Sequence, residues 1–75
     1  MYLQVGAFGS RANAELLRSR LAQQIAERVQ VRSIDDDRMH WYKVHVGPLK
    51  SRKKAKDLSQ QLASLGLGGS RIVVE

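Results

Sequence analysis

Two stretches of this 75-residue chain match each other at a constant offset of 41 residues. QVGAFGSR begins at Gln4 and HVGPLKSR begins at His45, and both carry Val, Gly, Ser and Arg at equivalent positions. The same offset also pairs apolar residues outside these stretches: Leu3 with Val44, Ala14 with Ala55, Leu17 with Leu58, Leu21 with Leu62, and Val31 with Ile72. An ungapped offset of this extent predicts two copies of one structural unit.

Each copy has the pattern of a strand, a helix and a second strand. Alternation of apolar residues predicts strands over 2–8, 29–32, 41–49 and 71–75. Apolar residues three and four apart predict two amphipathic helices, from Ala14 to Ile25 and from Ala55 to Leu65. Ser10 or Asn13 can cap the first helix and Ser51 the second, and Gly66 is a plausible stop for the second.

The order β-α-β-β-α-β, with 35–37 as a polar hairpin turn, predicts an α+β fold of ferredoxin-like or RNP-like type. Right-handed crossovers give a four-stranded antiparallel sheet with both helices on one face and strands one and three at the centre. The other face is then open. Alternation predicts these residues on it: Gln4, Gly6, Phe8, Gln30, Arg32, Trp41, Lys43, His45, Arg71 and Val73.

The composition predicts one basic domain over residues 1–75. The net charge is +6, which suits an anionic partner or a basic solvated surface, and cysteine is absent, which excludes disulfides and thiolate metal sites. No apolar run reaches the roughly 18 residues of a membrane span. We expect Met1 to be an added start and the chain to be a domain of a larger protein.

The segments YLQVGAF, Asn13-Ala14 at a helix start, and WYKVHVGPL, together with Ala55 and Leu58 in the second helix, resemble the SPOR (sporulation-related) domain over residues 2–74. The resemblance implies binding of peptidoglycan glycan strands, built of N-acetylglucosamine and N-acetylmuramic acid, with a preference for denuded strands that lack stem peptides. It also implies a periplasmic, septal parent protein of the cell envelope, namely a lipoprotein with a separate lytic transglycosylase domain. No cofactor is implied.

The resemblance and the side-chain chemistry together give a set of candidate glycan-binding residues. Trp41 and Phe8 can provide a flat platform for sugar rings, and Gln4 and Asn13 have donors and acceptors for hydroxyl and acetamido groups. Arg11 or Lys43 can pair with the lactyl carboxylate that a missing stem peptide exposes. The full set is Gln4, Gly6, Phe8, Ser10, Arg11, Asn13, Trp41, Lys43 and His45. Lys43 stands where the family often has Arg, and Leu49 where an aromatic residue is common.

Several of these residues also have a purely structural interpretation. Ser10 and Asn13 can serve only as helix caps, and Trp41 can pack under the loop after Asp37. The basic residues between Lys50 and Lys56 are typical of a solvated helix face. His40 and His45 are five apart and so point to opposite faces of a strand, which disfavours a metal site.

Three other function classes are an enzyme that cleaves glycosides, an RNA-binding module and a protein-interaction module. Glycoside cleavage needs two carboxylates at the bond, and the predicted open face has none, so we expect a binding domain rather than an enzyme. The alternative is a single-stranded RNA-binding module of the RNA-recognition-motif type, but adjacent Trp41 and Tyr42 leave only one platform aromatic on the third strand. A protein-interaction module that uses an edge strand is the third class. We expect a monomer without a nucleic acid partner.

Overall fold

The computed structural model describes residues 1–74 and has the predicted element order. The elements are β1 (Tyr2–Phe8), α1 (Arg11–Gln24), β2 (Val29–Asp35), β3 (His40–Val46), α2 (Arg52–Ser64) and β4 (Arg71–Val73). The strands form one antiparallel sheet in the order β2-β3-β1-β4. The predicted fold class is confirmed, and so are the central positions of β1 and β3.

Both helices pack their apolar stripes into one core against the same face of the sheet. Ala14 and Leu21 of α1 are fully buried, as are their offset partners Ala55 and Leu62 of α2. These side chains pack with those of β1 and β3 in a single cluster. The repeat therefore corresponds to an approximate twofold symmetry of the core.

The helix starts follow the capping prediction. The Ser10 hydroxyl accepts from the Asn13 amide at 3.4 Å, and the Ser51 hydroxyl accepts from the Lys54 amide at 3.1 Å. Both serines have extended backbone angles, as N-cap residues do. Ser10 is therefore the cap of α1, and Asn13 lies in its first turn.

The end of α2 departs from the prediction at Leu65. This residue is 45% exposed instead of buried, because α2 ends at Ser64. Gly66 has a φ of +83° and turns the chain back, so that the Leu67 amide donates to the Leu62 carbonyl at 2.8 Å. Leu67 then packs against the core in place of Leu65.

A β-bulge in β1 overturns the predicted orientation of its second half. Gln4 pairs with His45, but Gly6 pairs with Val44 and Phe8 with Tyr42, so one extra residue is inserted at Val5. Beyond the bulge, Gly6 and Phe8 face the helices and Ala7 faces the open side. The predictions of Gly6 and Phe8 on the open face are therefore wrong, and Ala7, which strict alternation directs to the other face, lies on the open face instead.

The ends of the other strands also differ from the pattern. β3 ends at Val46 rather than Leu49, because Gly47 turns the chain with a φ of +138° before Pro48. The Asp36 and Met39 backbones bond to each other across the hairpin turn. In β4, Ile72 lies opposite Leu3 on the helix side, as predicted, while the predicted strand end at Glu75 falls outside the described residues.

Candidate functional site

Strand register defines the open face of the sheet as a set of cross-strand rows. Directly paired residues on antiparallel strands point to the same face, so each pair locates two side chains. The described residues on the open face are Tyr2, Gln4, Ala7, Gln30, Arg32, Ile34, Trp41, Lys43, His45, Arg71 and Val73. Predicted site residues Gln4, Trp41, Lys43 and His45 therefore share this face.

Trp41 lies at the end of the sheet where α1 begins. It pairs with Ile34 of β2, and both side chains project from the open face. The Trp41 ring is half-buried and Ile34 is 39% exposed. Together they provide an apolar surface against which the C–H face of a sugar ring could pack.

Tyr2 forms the centre of a cluster farther along the face. Its ring centroid lies 5.8 Å from that of His45, at an interplanar angle of 33°, and the Arg32 guanidinium carbon lies 4.5 Å from the Tyr2 centroid. The second contact has the geometry of a cation–π interaction. Because Tyr2 is on β1 and Arg32 on β2, the Tyr2 ring extends across β3.

Gly47 provides the space that this arrangement needs. A Cβ at this position would lie 3.1 Å from Tyr2 Cδ1 and 3.0 Å from the Leu49 amide nitrogen. The φ of +138° is also one that residues with side chains rarely adopt. The chain thus uses a glycine where the Tyr2 ring approaches the backbone at the end of β3.

His45 is 3% exposed, although it lies on the open side of β3. Its position beside the Tyr2 ring makes it a support for that ring. Its predicted role as a residue that touches the glycan is not favoured by this burial.

The middle row of the face is basic. Lys43 is paired with Arg32 on one side and with Ala7 on the other. Like charges directly opposite one another on a sheet are unfavourable, and the small Ala7 leaves space beside Lys43. The described residues of the open face include no Asp or Glu, so this row favours an anionic ligand group.

A second group of predicted site residues lies at the start of α1. Ser10, Arg11 and Asn13 are at the same end of the sheet as Trp41, since β1 ends there and β3 begins there. Arg11 and Asn13 are exposed. On the helix side, Phe8 and Asn13 line a shallow groove of about 230 Å³ together with Leu16, Leu17 and Arg20.

The predicted site therefore divides into two neighbouring parts. Gln4, Trp41 and Lys43 are half-buried on the open face, whereas Ser10, Arg11 and Asn13 form a rim at the start of α1. Gly6 is not available to a ligand on the open face, because a Cβ there would lie 2.9 Å from Phe8 Cε2 and 3.0 Å from Leu17 Cδ2. Phe8 packs against the core and also lines the groove beside the rim.

Sequence analysis missed three residues of the face, namely Tyr2, Ala7 and Ile34. Tyr2 and Ile34 could have been found, because they have the same parity as Gln4 and Arg32 in their strands. Ala7 could not, since its orientation depends on the bulge.

No group of three or more His, Asp or Glu among residues 1–74 is placed to hold a metal ion. Within the same residues, no helix has the length and apolar character to cross a membrane.

Comparison with known proteins identifies a family and a solved structure of similar fold. The family model for the SPOR domain matches residues 1–74. The crystal structure of the RlpA SPOR domain from Pseudomonas aeruginosa superimposes with a TM-score of 0.90 at 30% identity, covering 99% of this chain and 97% of that one. A search of curated protein sequences finds no match. The resemblance inferred from the residues is confirmed: the chain belongs to the SPOR domain family of non-catalytic, peptidoglycan-binding domains.

Proposed function

We propose that the open face and the rim at the start of α1 bind denuded glycan strands of peptidoglycan. The observation that carries the proposal is the open face itself, where Trp41, Gln4 and Lys43 project together from paired strands. An aromatic surface, an amide and a cation are the groups that a sugar face, an acetamido group and a carboxylate would require.

The preference for denuded strands is assigned to Lys43 and Arg11. Removal of a stem peptide frees the lactyl carboxylate of N-acetylmuramic acid, which an ammonium or guanidinium group can bind. Lys43 lies in the basic row of the face, and Arg11 is exposed on the rim. A strand that still carries stem peptides has an amide at this position and lacks that charge.

This binding would bring the parent protein to the division septum, where peptide-free glycan forms. The location of the parent in the periplasm, its lipoprotein anchor and its lytic transglycosylase domain are part of the same proposal. They rest on the family resemblance.

The test is co-sedimentation with peptidoglycan sacculi, either intact or treated with an amidase that removes stem peptides. We expect the domain to pellet preferentially with treated sacculi and Trp41→Ala to weaken this binding by at least about tenfold, as loss of a central aromatic contact does. Leu65→Ala is the control, because it removes an exposed apolar side chain at the end of α2, in the helix layer. Failure of the unsubstituted domain to pellet with treated sacculi would refute the proposal.

A second experiment tests the charge assignment. We expect the double variant Arg11→Met, Lys43→Met to bind treated and intact sacculi nearly equally. The control variant Lys53→Met, Lys56→Met loses the same net charge at exposed positions of α2, outside the open face and the rim, and should keep the preference. An unchanged preference in the first variant would show that Arg11 and Lys43 do not recognise the lactyl carboxylate.

The RNA-binding alternative is tested by measuring how binding depends on salt. Binding to phosphates falls steeply with salt, because it releases counterions, whereas binding to a glycan with few charges should change little. Tyr42 faces the helices, so β3 presents only one aromatic ring for base stacking. Tight, salt-sensitive binding of a single-stranded RNA oligomer, without sacculus binding, would favour the alternative.

A further inference from the structure

The start of α2 carries a dense group of positive charges that the proposed glycan site does not use. We define the basic turn as Lys50, Arg52, Lys53, Lys54 and Lys56, all of which are exposed. Lys54 lies 3.7 Å from a Glu27 carboxylate oxygen. Among the described residues, no carboxylate is within 4.0 Å of the other four side-chain charges.

The fold does not need these charges. Cations at a helix N-terminus oppose the helix dipole, and α2 has no acidic residue in its first turn. The equivalent turn of α1 has the same serine cap and the same buried alanine, but only one cation. Its residues at the offset positions are Gly9, Arg11, Ala12, Asn13 and Glu15. The basic turn is thus an addition to a structural unit that forms without it.

The basic turn is separated from Trp41 along the sheet and from the whole open face across it. It follows the end of β3, whereas Trp41 lies at the beginning of that seven-residue strand. It also belongs to the helix layer, on the opposite side of the sheet from the open face. A ligand at the basic turn and a glycan on the open face can therefore be bound at the same time.

A groove with both apolar and charged residues adjoins the basic turn. Its lining consists of Ala26, Glu27, Pro48, Leu49, Lys50 and Lys54, and its volume is about 390 Å³. Ala26 and Pro48 are exposed. Ala26 and Pro48 beside the cations of the basic turn suit the interfacial region of a bilayer with anionic headgroups, and the groove offers no aromatic ring for a nucleic acid base. Its one carboxylate, Glu27, is paired with Lys54.

The predominance of lysine in the basic turn also favours an anionic phospholipid surface as the partner. Four of the five residues are lysine, which binds anions as a mobile point charge rather than through a fixed bidentate fork. Lysine clusters of this type are attracted to the negative surface potential of membranes that contain anionic lipids.

We propose that the basic turn docks the domain on a bilayer that contains anionic phospholipids, with the open face directed away from it. The domain would then connect a membrane surface to the glycan layer. This proposal does not depend on the identity of the ligand at the open face.

The test is co-sedimentation with vesicles of equimolar phosphatidylglycerol and phosphatidylethanolamine, and with vesicles of phosphatidylcholine alone. We expect binding only to the former, weakening as salt is raised because the surface potential is screened. Lys53→Gln, Lys56→Gln should weaken binding about twenty-five-fold, since each cation near an anionic surface contributes about fivefold. Soluble glycerol phosphate should not displace the domain, which distinguishes a bilayer from free phosphate.

The control variant is Arg20→Gln, Arg38→Gln, which loses the same charge at exposed positions elsewhere. It should bind these vesicles nearly as well as the unsubstituted domain. An equal loss in both variants would overturn the proposal, because net charge rather than the basic turn would then govern binding. Equal binding to phosphatidylcholine, or no vesicle binding at low salt, would overturn it as well. Sacculus binding by the Lys53→Gln, Lys56→Gln variant should be unchanged, so the two proposals fail separately.

Discussion

At the residue scale, Gly6 and Phe8 show how a single inserted residue redistributes the side chains of a strand. The bulge at Val5 turns Phe8 toward Leu17 and the core, and the absence of a side chain at Gly6 leaves space for the Phe8 ring. The identity of these residues fits the family, yet their role in this chain includes packing under the rim. Their contribution to glycan binding remains a prediction.

Gly6→Ala tests this orientation. The new Cβ would lie 2.9 Å from the Phe8 ring and 3.0 Å from Leu17, so we expect the free energy of unfolding to fall by about 1–3 kcal/mol through overpacking. Gly9→Ala is the matched control, because a Cβ there would have no neighbour within 4 Å. Urea unfolding measures both. A Gly6→Ala variant as stable as Gly9→Ala would mean that position 6 does not face α1.

Sequence alone could predict Trp41, Lys43 and Gln4 on the open face, because period-two alternation holds through β3 and up to Gln4. It could not predict the orientation of Gly6, Ala7 or Phe8. Tyr2–Phe8 has an apolar residue at almost every position, so the inserted residue at the bulge does not change the hydrophobic pattern. Contacts across the face, such as Arg32 over Tyr2, depend on rotamers that a pattern does not specify.

At the element scale, the two halves of the chain serve as controls for each other. Helices α1 and α2 begin at serine caps in the same relation to the core, so a change that is only structural should have the same effect in both. The caps, the apolar stripes and Gly66 could be predicted because each is a local signal. Leu65 could not, since helix periodicity continues through it while the backbone turn at Gly66 ends the helix.

Ser10→Ala and Ser51→Ala separate capping from ligand binding. Each variant loses one capping bond, so each should lose about 1 kcal/mol of unfolding free energy, which lowers the melting temperature of a domain of this size by about 4–8 °C. Ser10 is also a candidate ligand of the glycan, so its variant alone should bind treated sacculi more weakly. Equal sacculus binding by the two variants would restrict Ser10 to capping.

At the scale of the whole molecule, one core joins two repeats whose surfaces differ. The buried positions are apolar in both copies apart from Ile25, which falls on Gly66, whereas the exposed positions differ: the start of α1 forms the rim and the start of α2 forms the basic turn. The fold could be derived from what the copies share, and the proposed sites lie where they differ. The relative position of those sites follows from topology, because β1 and β3 are antiparallel and therefore end at opposite ends of the sheet.

Leu21→Ala and Leu62→Ala test whether the two repeats unfold as one unit. Both side chains are fully buried in the same cluster, so each truncation should cost about 2–5 kcal/mol, a large part of the stability of a small domain. Trp41, the only tryptophan, reports on the sheet through fluorescence, and circular dichroism reports on the helices. If the core is shared, the two signals should change at the same urea concentration in both variants. A helix signal that is lost before the Trp41 signal, in either variant, would mean that the corresponding repeat unfolds independently of the sheet.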